Sequence, residues 1–243
     1  MRTVDRVEDA LHAGPDAEVD DKWLHVRPGD PARTDPFVVL SEDRFTAPGF
    51  AWHAHHGIET LTVVLGGVLE HADSTGGAGV LHAGDAQWMT AGRGIEHREV
   101  AQAGTSAHVL QLWIDLPARD RAAAAGHQEL PAADRPRLAR PGAEVDVLAG
   151  TVDGVTGPAR PARPVQAVLV TLDPGASLEL PMPAEHRAFA LVLDGGATVA
   201  GRFAGVRQTA WSDPGGSRLE LGGGATGSRL LVVGARPTAP EDP

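Results

Sequence analysis

The sequence predicts an all-β protein built as two strand-rich halves, and three observations carry that expectation. Apolar or alternating runs are short, numerous and broken by Gly and Asp, the rhythm of a sandwich or small barrel. Thirty glycines and nineteen prolines among 243 residues favour turns over long helices. Residues 117–142 change character, rich in Ala, Arg, Asp and Pro, and read as a linker between the halves. With 42% hydrophobic residues the chain can build a packed core, which argues against global disorder.

The elements follow in order. Residues 1–22 are polar and charged, with a short helix expected near 7–12. Residues 28–36, with their Pro, Gly and Asp, have loop chemistry. Residues 37–40 read as a buried strand. Strands are then expected over 60–65, 80–82, 86–90, 95–100 and 108–116. The turns between them fall at Gly66-Gly67, 73–79, 83–85 and 91–94. A helical piece over 119–126 would sit in the linker. The second half repeats the rhythm, with strands expected over 165–172, 176–181, 188–194, 198–203, 218–221 and 229–233. Its turns fall at 173–175, 194–196, 213–216 and 222–224, and 235–243 reads as a flexible or surface-lying end.

Composition removes several function classes. No cysteine is present, which excludes disulfides, thiolate metal sites and thiol nucleophiles; a reducing cytoplasm is the expected compartment. A net charge of −11 disfavours direct contact with nucleic acid or an anionic membrane. The N-terminus lacks the apolar core of a signal peptide, and no run reaches the roughly 18 apolar residues of a membrane span. There is no glycine-rich phosphate loop and no Gly-X-Ser-X-Gly elbow. The five tryptophans read as core, because no basic groove surrounds them.

The chemistry concentrates in two short stretches, His53-Ala-His55 and His97-Arg-Glu99. Each is a ligand-X-ligand pair, and a strand sends alternate side chains to one face, so each pair can aim both members at one point. Three imidazoles and a carboxylate suit iron, zinc, nickel, cobalt or manganese, and no thiolate favours Cu(I). Either pair alone is weak, since a lone His-X-His is more often structural. Glu59 is the rival fourth ligand to Glu99, spaced to share the interior with His55 unless Gly57 breaks the alternation. Its plainer role is a carboxylate that orients an imidazole N–H. His56 and Glu96 point away on a regular strand. His12, His25, His71, His82, His108, His127 and His186 are isolated and read as structural or exposed.

The stretch from His53 to Thr60, of the form HxHxxxE and followed by Gly66, resembles the first cupin signature. The run Gln87-Trp-Met-Thr-Ala-Gly-Arg-Gly94, with His97-X-Glu99 behind it, resembles the pirin family in particular. Asp35-Pro-Phe37 and the stretch from Gln111 to Pro117 add to the likeness, which covers roughly residues 20–130. The resemblance implies a bicupin: two tandem double-stranded β-helix (jelly-roll) barrels with a short helical linker. It implies an N-terminal metal-binding domain over 1–130 and a C-terminal cupin without metal over 131–243. By position the ligands fall on His53, His55, His97 and Glu99, around Fe(II) or Fe(III), with Mn, Co, Ni or Zn as substitutes. His56 stands where the family often has Arg and Ala54 where it often has Pro, changes at the rim. The activity implied is a quercetin (flavonol) 2,3-dioxygenase, with Glu99 and Glu59 as the catalytic carboxylates. The alternative is a non-enzymatic, iron-dependent regulator that binds a transcription factor or metabolic enzyme. The expected partners are thus a flavonol-like small molecule or a protein, and the expected state is a monomer.

Overall fold

The computed structural model describes residues 1–46 and 49–238, and nearly all of its regular structure is strand. Two compact units form. One holds Leu11–Asp134 with Arg160–Arg163 and Thr238; the other holds Met1–Ala10, Arg135–Ala159 and Pro164–Pro237. Against the single cut expected between residues 130 and 131, the units interleave in sequence.

The helix expected near 7–12 is instead two strands, Arg6–Asp9 and Leu11–His12. Arg6–Asp9 pairs antiparallel with Gln208–Ser212, and Leu11–His12 with Asp21–Val26. One or two turns of helix have no stability of their own, so a partner sheet edge decides the outcome. The helical piece expected over 119–126 shrinks to a 3-10 turn, Ala118–Asp120. The supposed linker then supplies a strand to each unit: Gly126–Leu130 pairs with Ala86–Thr90, and Arg137–Arg140 with Ala143–Ala149. Within the expected loop of 28–36, Pro31–Thr34 forms one helical turn.

In the first unit the spine is Ile58–Asp73. Its first half pairs with Ala107–Asp115 and Ala86–Thr90, its second with Ala78–His82 and Ile95–Ala101. One strand therefore belongs to both faces of a barrel. Gly66-Gly67, expected as a turn, lies inside it as a corner. Gly67 has φ +73°, a Cβ there would fall 1.8 Å from the Ser106 carbonyl oxygen, and the register against Ala107–Asp115 shifts beside it. The glycine bends the strand without ending it. Phe45, Val64, Leu69, Leu81, Ala101, Ala107 and Val109 pack together as a buried apolar cluster in this unit.

The second unit repeats the design with Arg187–Val199 and Arg218–Ala235 as long bent strands. The glycines at 195–196 and 222–224, expected as turns, again lie inside strands. Its interior is packed with apolar side chains, including Val168, Val170, Leu180, Val192, Leu221, Leu230 and Val232. Gln208–Ser212 is a strand that local pattern did not announce. No helix among the described residues is long and apolar enough to cross a membrane. Of the expected flexible end, Thr238 donates its N–H to the Asp35 carboxylate at 2.6 Å, and 239–243 lie outside the described residues.

Candidate metal centre

Two strands build the centre. Phe50–His55 and Ile95–Ala101 pair antiparallel, with His53 directly opposite His97 and Phe50 opposite Glu99. Cross-strand neighbours on one face lie within about 5.5 Å at Cβ, so this register alone joins the two motifs. One ring nitrogen from each of His53, His55 and His97 lies within 4.8 Å of the other two. The ring centroids are 4.4 Å (His53–His97), 4.8 Å (His53–His55) and 5.0 Å (His55–His97) apart. His56 and Glu96 are exposed, as strand alternation requires.

The hydrogen bonding leaves these rings ready to ligate. His53 Nδ1 lies 2.7 Å from the Ala51 carbonyl oxygen, so it donates there and leaves Nε2 free. His55 Nε2 and both nitrogens of His97 are buried with no hydrogen-bond partner. Unpaired buried polar atoms are costly, and a cation on their lone pairs removes that cost. Burial, then the neighbouring His53 and His56, lowers the His55 pKa to about 4. Burial, then His53, His55 and His71, lowers that of His97 to about 2. Both rings are thus neutral, the form a metal binds. The donors present fit a mononuclear transition-metal ion.

Glu99 is buried behind them at 2% exposure. Gln111 donates an Nε2–H to Glu99 Oε2, and Thr62 donates to Oε1 at 3.3 Å. Burial raises the Glu99 pKa against the pull of those bonds. Its carboxylate lies within ligand distance of His97 and His71, though not of all three rings of the outer set.

Glu59 has other work. Its Oε1 accepts from Trp88 Nε1 at 3.0 Å, Thr90 Oγ1 at 2.7 Å and the Ala162 N–H at 2.9 Å. Gly57, with φ +69°, breaks the alternation between His55 and the next strand. On Ile58–Asp73, Thr62 turns towards Glu99, and Glu59, an odd number of residues away, takes the opposite face. No ligand-distance group among the described residues includes Glu59.

Sequence reasoning set aside two histidines that the fold brings together. His71 Nε2 lies 3.3 Å and His127 Nδ1 2.6 Å from Asp73 Oδ2. Burial pushes the Asp73 carboxyl up, but bonds from Thr75, His127 and His71 outweigh it and hold it well below the ordinary carboxylate range. His71 stands opposite Glu99 and Asp73 opposite His97 on the neighbouring strand. His71-X-Asp73 is itself an alternate-spaced pair, so the signal was present. His127 arrives on Gly126–Leu130, a strand without a local signature.

A cavity of about 320 Å³ opens beside the centre, with Lys22, Asp43, Phe50, His53, Gln111 and Trp113 among its walls. That is at the small end of ligand sites, about 300–1,000 Å³. Trp113 stands edge-on to His55, centroids 4.7 Å apart. Asp43 is 1% exposed; Ser41 donates to its Oδ2 at 2.5 Å, and Oδ1 has no partner. Burial is the main cause of its raised pKa, about 6.

A family model described as Pirin matches residues 8–114. Pirin-like protein 2 of Arabidopsis thaliana is 40% identical over 163 residues, 67% of this chain and 50% of that protein. A Pseudomonas aeruginosa protein provisionally named a quercetin 2,3-dioxygenase is 34% identical over 224 residues, 85% of this chain and 77% of that one. The matches span only 50% to 58% of the length of the first plant relatives. Among solved structures, GK1651 from Geobacillus kaustophilus superposes with TM-score 0.93 at 31% identity, covering 99% of this chain and 98% of that one. A quercetin 2,3-dioxygenase from Acinetobacter baumannii gives TM-score 0.86 at 25% identity over 98% and 88%. The bacterial pirin YhhW from Escherichia coli, solved in complex with nickel(II), gives 0.77 at 23% identity over 96% and 99%, a likeness of fold.

Proposed function

The chain belongs to the pirin family, and from that premise we propose that its N-terminal barrel is a mononuclear iron site with flavonol 2,3-dioxygenase-type activity. The observation that carries this reading is the convergence of the His53, His55 and His97 imidazoles, two of them buried with unpaired nitrogens, beside a cavity. Bound iron would supply Lewis acidity, lowering the pKa of a coordinated hydroxyl. His53, His55 and His97 would hold the ion, with Glu99, already within ligand distance of His97, turning in as the fourth ligand. Gln111 and Thr62 fix the Glu99 carboxylate through their hydrogen bonds.

The cavity walls support a flat small-molecule substrate. Phe50 and Trp113 offer apolar faces to a flat ring system. Asp43 lies among the cavity-lining residues with its Oδ1 buried and unpaired, and is the carboxylate proposed to take the proton of a substrate hydroxyl. Glu59, engaged on the other face of its strand, does not line this cavity. The proton-accepting role therefore passes to Asp43 or Glu99.

The test is optical. Iron-loaded protein under O₂ is expected to bleach the long-wavelength flavonol band, and His97→Ala to abolish the loss. Absence of turnover with Fe, Mn, Co and Ni alike, together with a stoichiometric protein partner in a pull-down, overturns the enzyme reading in favour of a regulator.

A further inference from the structure

His71, Asp73 and His127 form a cluster apart from the centre of His53, His55, His97 and Glu99. One ring nitrogen of each histidine and a carboxylate oxygen of Asp73 lie within 4.8 Å of one another. His71-Ala-Asp73 is a ligand-X-ligand pair on the strand Ile58–Asp73, and His127 reaches it from Gly126–Leu130. The Asp73 carboxylate is held in place. Its Oδ1 accepts from the Thr75 N–H at 2.8 Å, Thr75 Oγ1 at 2.6 Å and the Gly77 N–H at 3.2 Å, which leaves Oδ2 to the two imidazoles. A Cβ on Gly77 would fall 2.7 Å from His127 Nδ1 and 2.8 Å from Asp73 Oδ2, so the turn closes over the pair only with glycine there. The side chains of His71 and Asp73 are fully buried, and that of His127 is 11% exposed. Among the described residues no lysine or arginine lies within ion-pair distance of Asp73. A buried carboxylate is costly unless a cation completes its surroundings.

We infer that His71, Asp73 and His127 form a second metal site, a seat for a borderline divalent ion of the zinc class that shares no ligand with the first centre. Two imidazoles and one carboxylate are a donor set such ions accept. Bonds of about 2.0–2.2 Å set tetrahedral ligand atoms roughly 3.4 Å apart. His71 Nε2 and Asp73 Oδ2, 3.3 Å apart, already have that spacing. His127 Nδ1, 2.6 Å from the same oxygen, has to open by under about 1 Å, and it sits on the edge strand of its sheet. Three protein ligands leave the fourth position to water, on the side of His127, the most exposed of the three. The His71 and His97 rings are 5.4 Å apart, so the two sites are neighbours. The inference does not depend on ring cleavage.

The experiment is cobalt(II) titration of the metal-free full chain, read by native mass spectrometry and by the intense visible band of four-coordinate cobalt, with thermal melts confirming that each variant folds. Wild type is expected to take two ions. The triple variant His53→Ala/His55→Ala/His97→Ala, which removes the first centre, is expected to keep one ion and the visible band. Adding His127→Ala is expected to abolish both. Adding Asp73→Asn instead, which removes the charge and keeps the shape, should weaken the remaining ion at least about tenfold. The seat is overturned if the triple variant binds nothing or if its ion survives His127→Ala. His127→Ala alone gives the same reading if the triple variant does not fold: one ion fewer than wild type supports the seat, and an equal count overturns it. A wild type whose single ion is lost with His127→Ala keeps this seat and overturns the metal reading of the first centre.

Discussion

His55 and Asp43 are buried groups whose proton affinities the fold shifts in the same direction as the loss of charge on burial. The His55 pKa is about 4 in the fold, against 6.5 for a free imidazole, so folding favours the neutral ring. A group with a lowered folded pKa that binds its proton more weakly when folded contributes fully above pH 6.5, and the contribution is lost as pH falls towards 4. Metal-free protein should therefore lose about 2 kcal/mol between pH 7 and pH 5 through this ring alone. Urea midpoints at the two pH values should show the loss in wild type and a smaller one in His55→Gln; equal losses would refute the assignment. Asp43 works in the opposite sense. Its raised pKa, about 6, means its favourable contribution is full below pH 3.8 and gone once pH passes 6. Asp43→Asn is expected to stabilise the protein at pH 7 by up to about 3 kcal/mol and to do little at pH 4. Retaining such a group costs stability, which is the pattern expected of the proton-accepting role proposed for Asp43.

At the scale of elements, the long bent strand Ile58–Asp73 matters most, because it carries Thr62 towards Glu99 and then His71 and Asp73 past the inner side of the centre. Its corner depends on Gly67. Gly67→Ala meets both a φ of +73° and a carbonyl oxygen 1.8 Å from the new Cβ. The expected cost is at least about 2 kcal/mol, read as a lower urea midpoint with unchanged slope. This corner also explains why local pattern misread 66–67, 195–196 and 222–224 as turns. A glycine pair looks the same in sequence whether it reverses a strand or bends one. Only the partner strand, with its displaced register, distinguishes the two.

At the scale of the whole chain, the N-terminal segment belongs to the unit made mainly from the distant half of the sequence. Arg6–Asp9 covers the edge of Gln208–Ser212, and the Arg2 guanidinium donates to the carbonyl oxygens of Pro183 at 2.5 Å, His186 at 2.7 Å and Asp213 at 3.0 Å. Removing residues 1–10 is expected to lower the melting temperature by several degrees and, by baring a strand edge, to promote self-association in size-exclusion chromatography. Cobalt uptake should be unchanged, because every proposed ligand lies in the other unit. A truncated chain that melts like the full one would show that this strand adds nothing to the unit it joins.

The legible part of the site was local. His53-X-His55 and His97-X-Glu99 needed only the two-residue period of a strand, a property of covalent geometry that holds wherever the strand is placed. The all-β character and most first-half strands were readable for the same reason, since alternation and turn residues act over a few positions. What required the folded chain was everything set by register between distant segments. Pairing put His53 across from His97, turned Glu59 to the opposite face from Thr62, and gathered His71, Asp73 and His127 from two strands. It also took residues 6–9 as a sheet edge, where their own propensity allowed a helix. Such pairings are chosen by the burial and hydrogen bonds of the whole sheet, which no short window of residues contains.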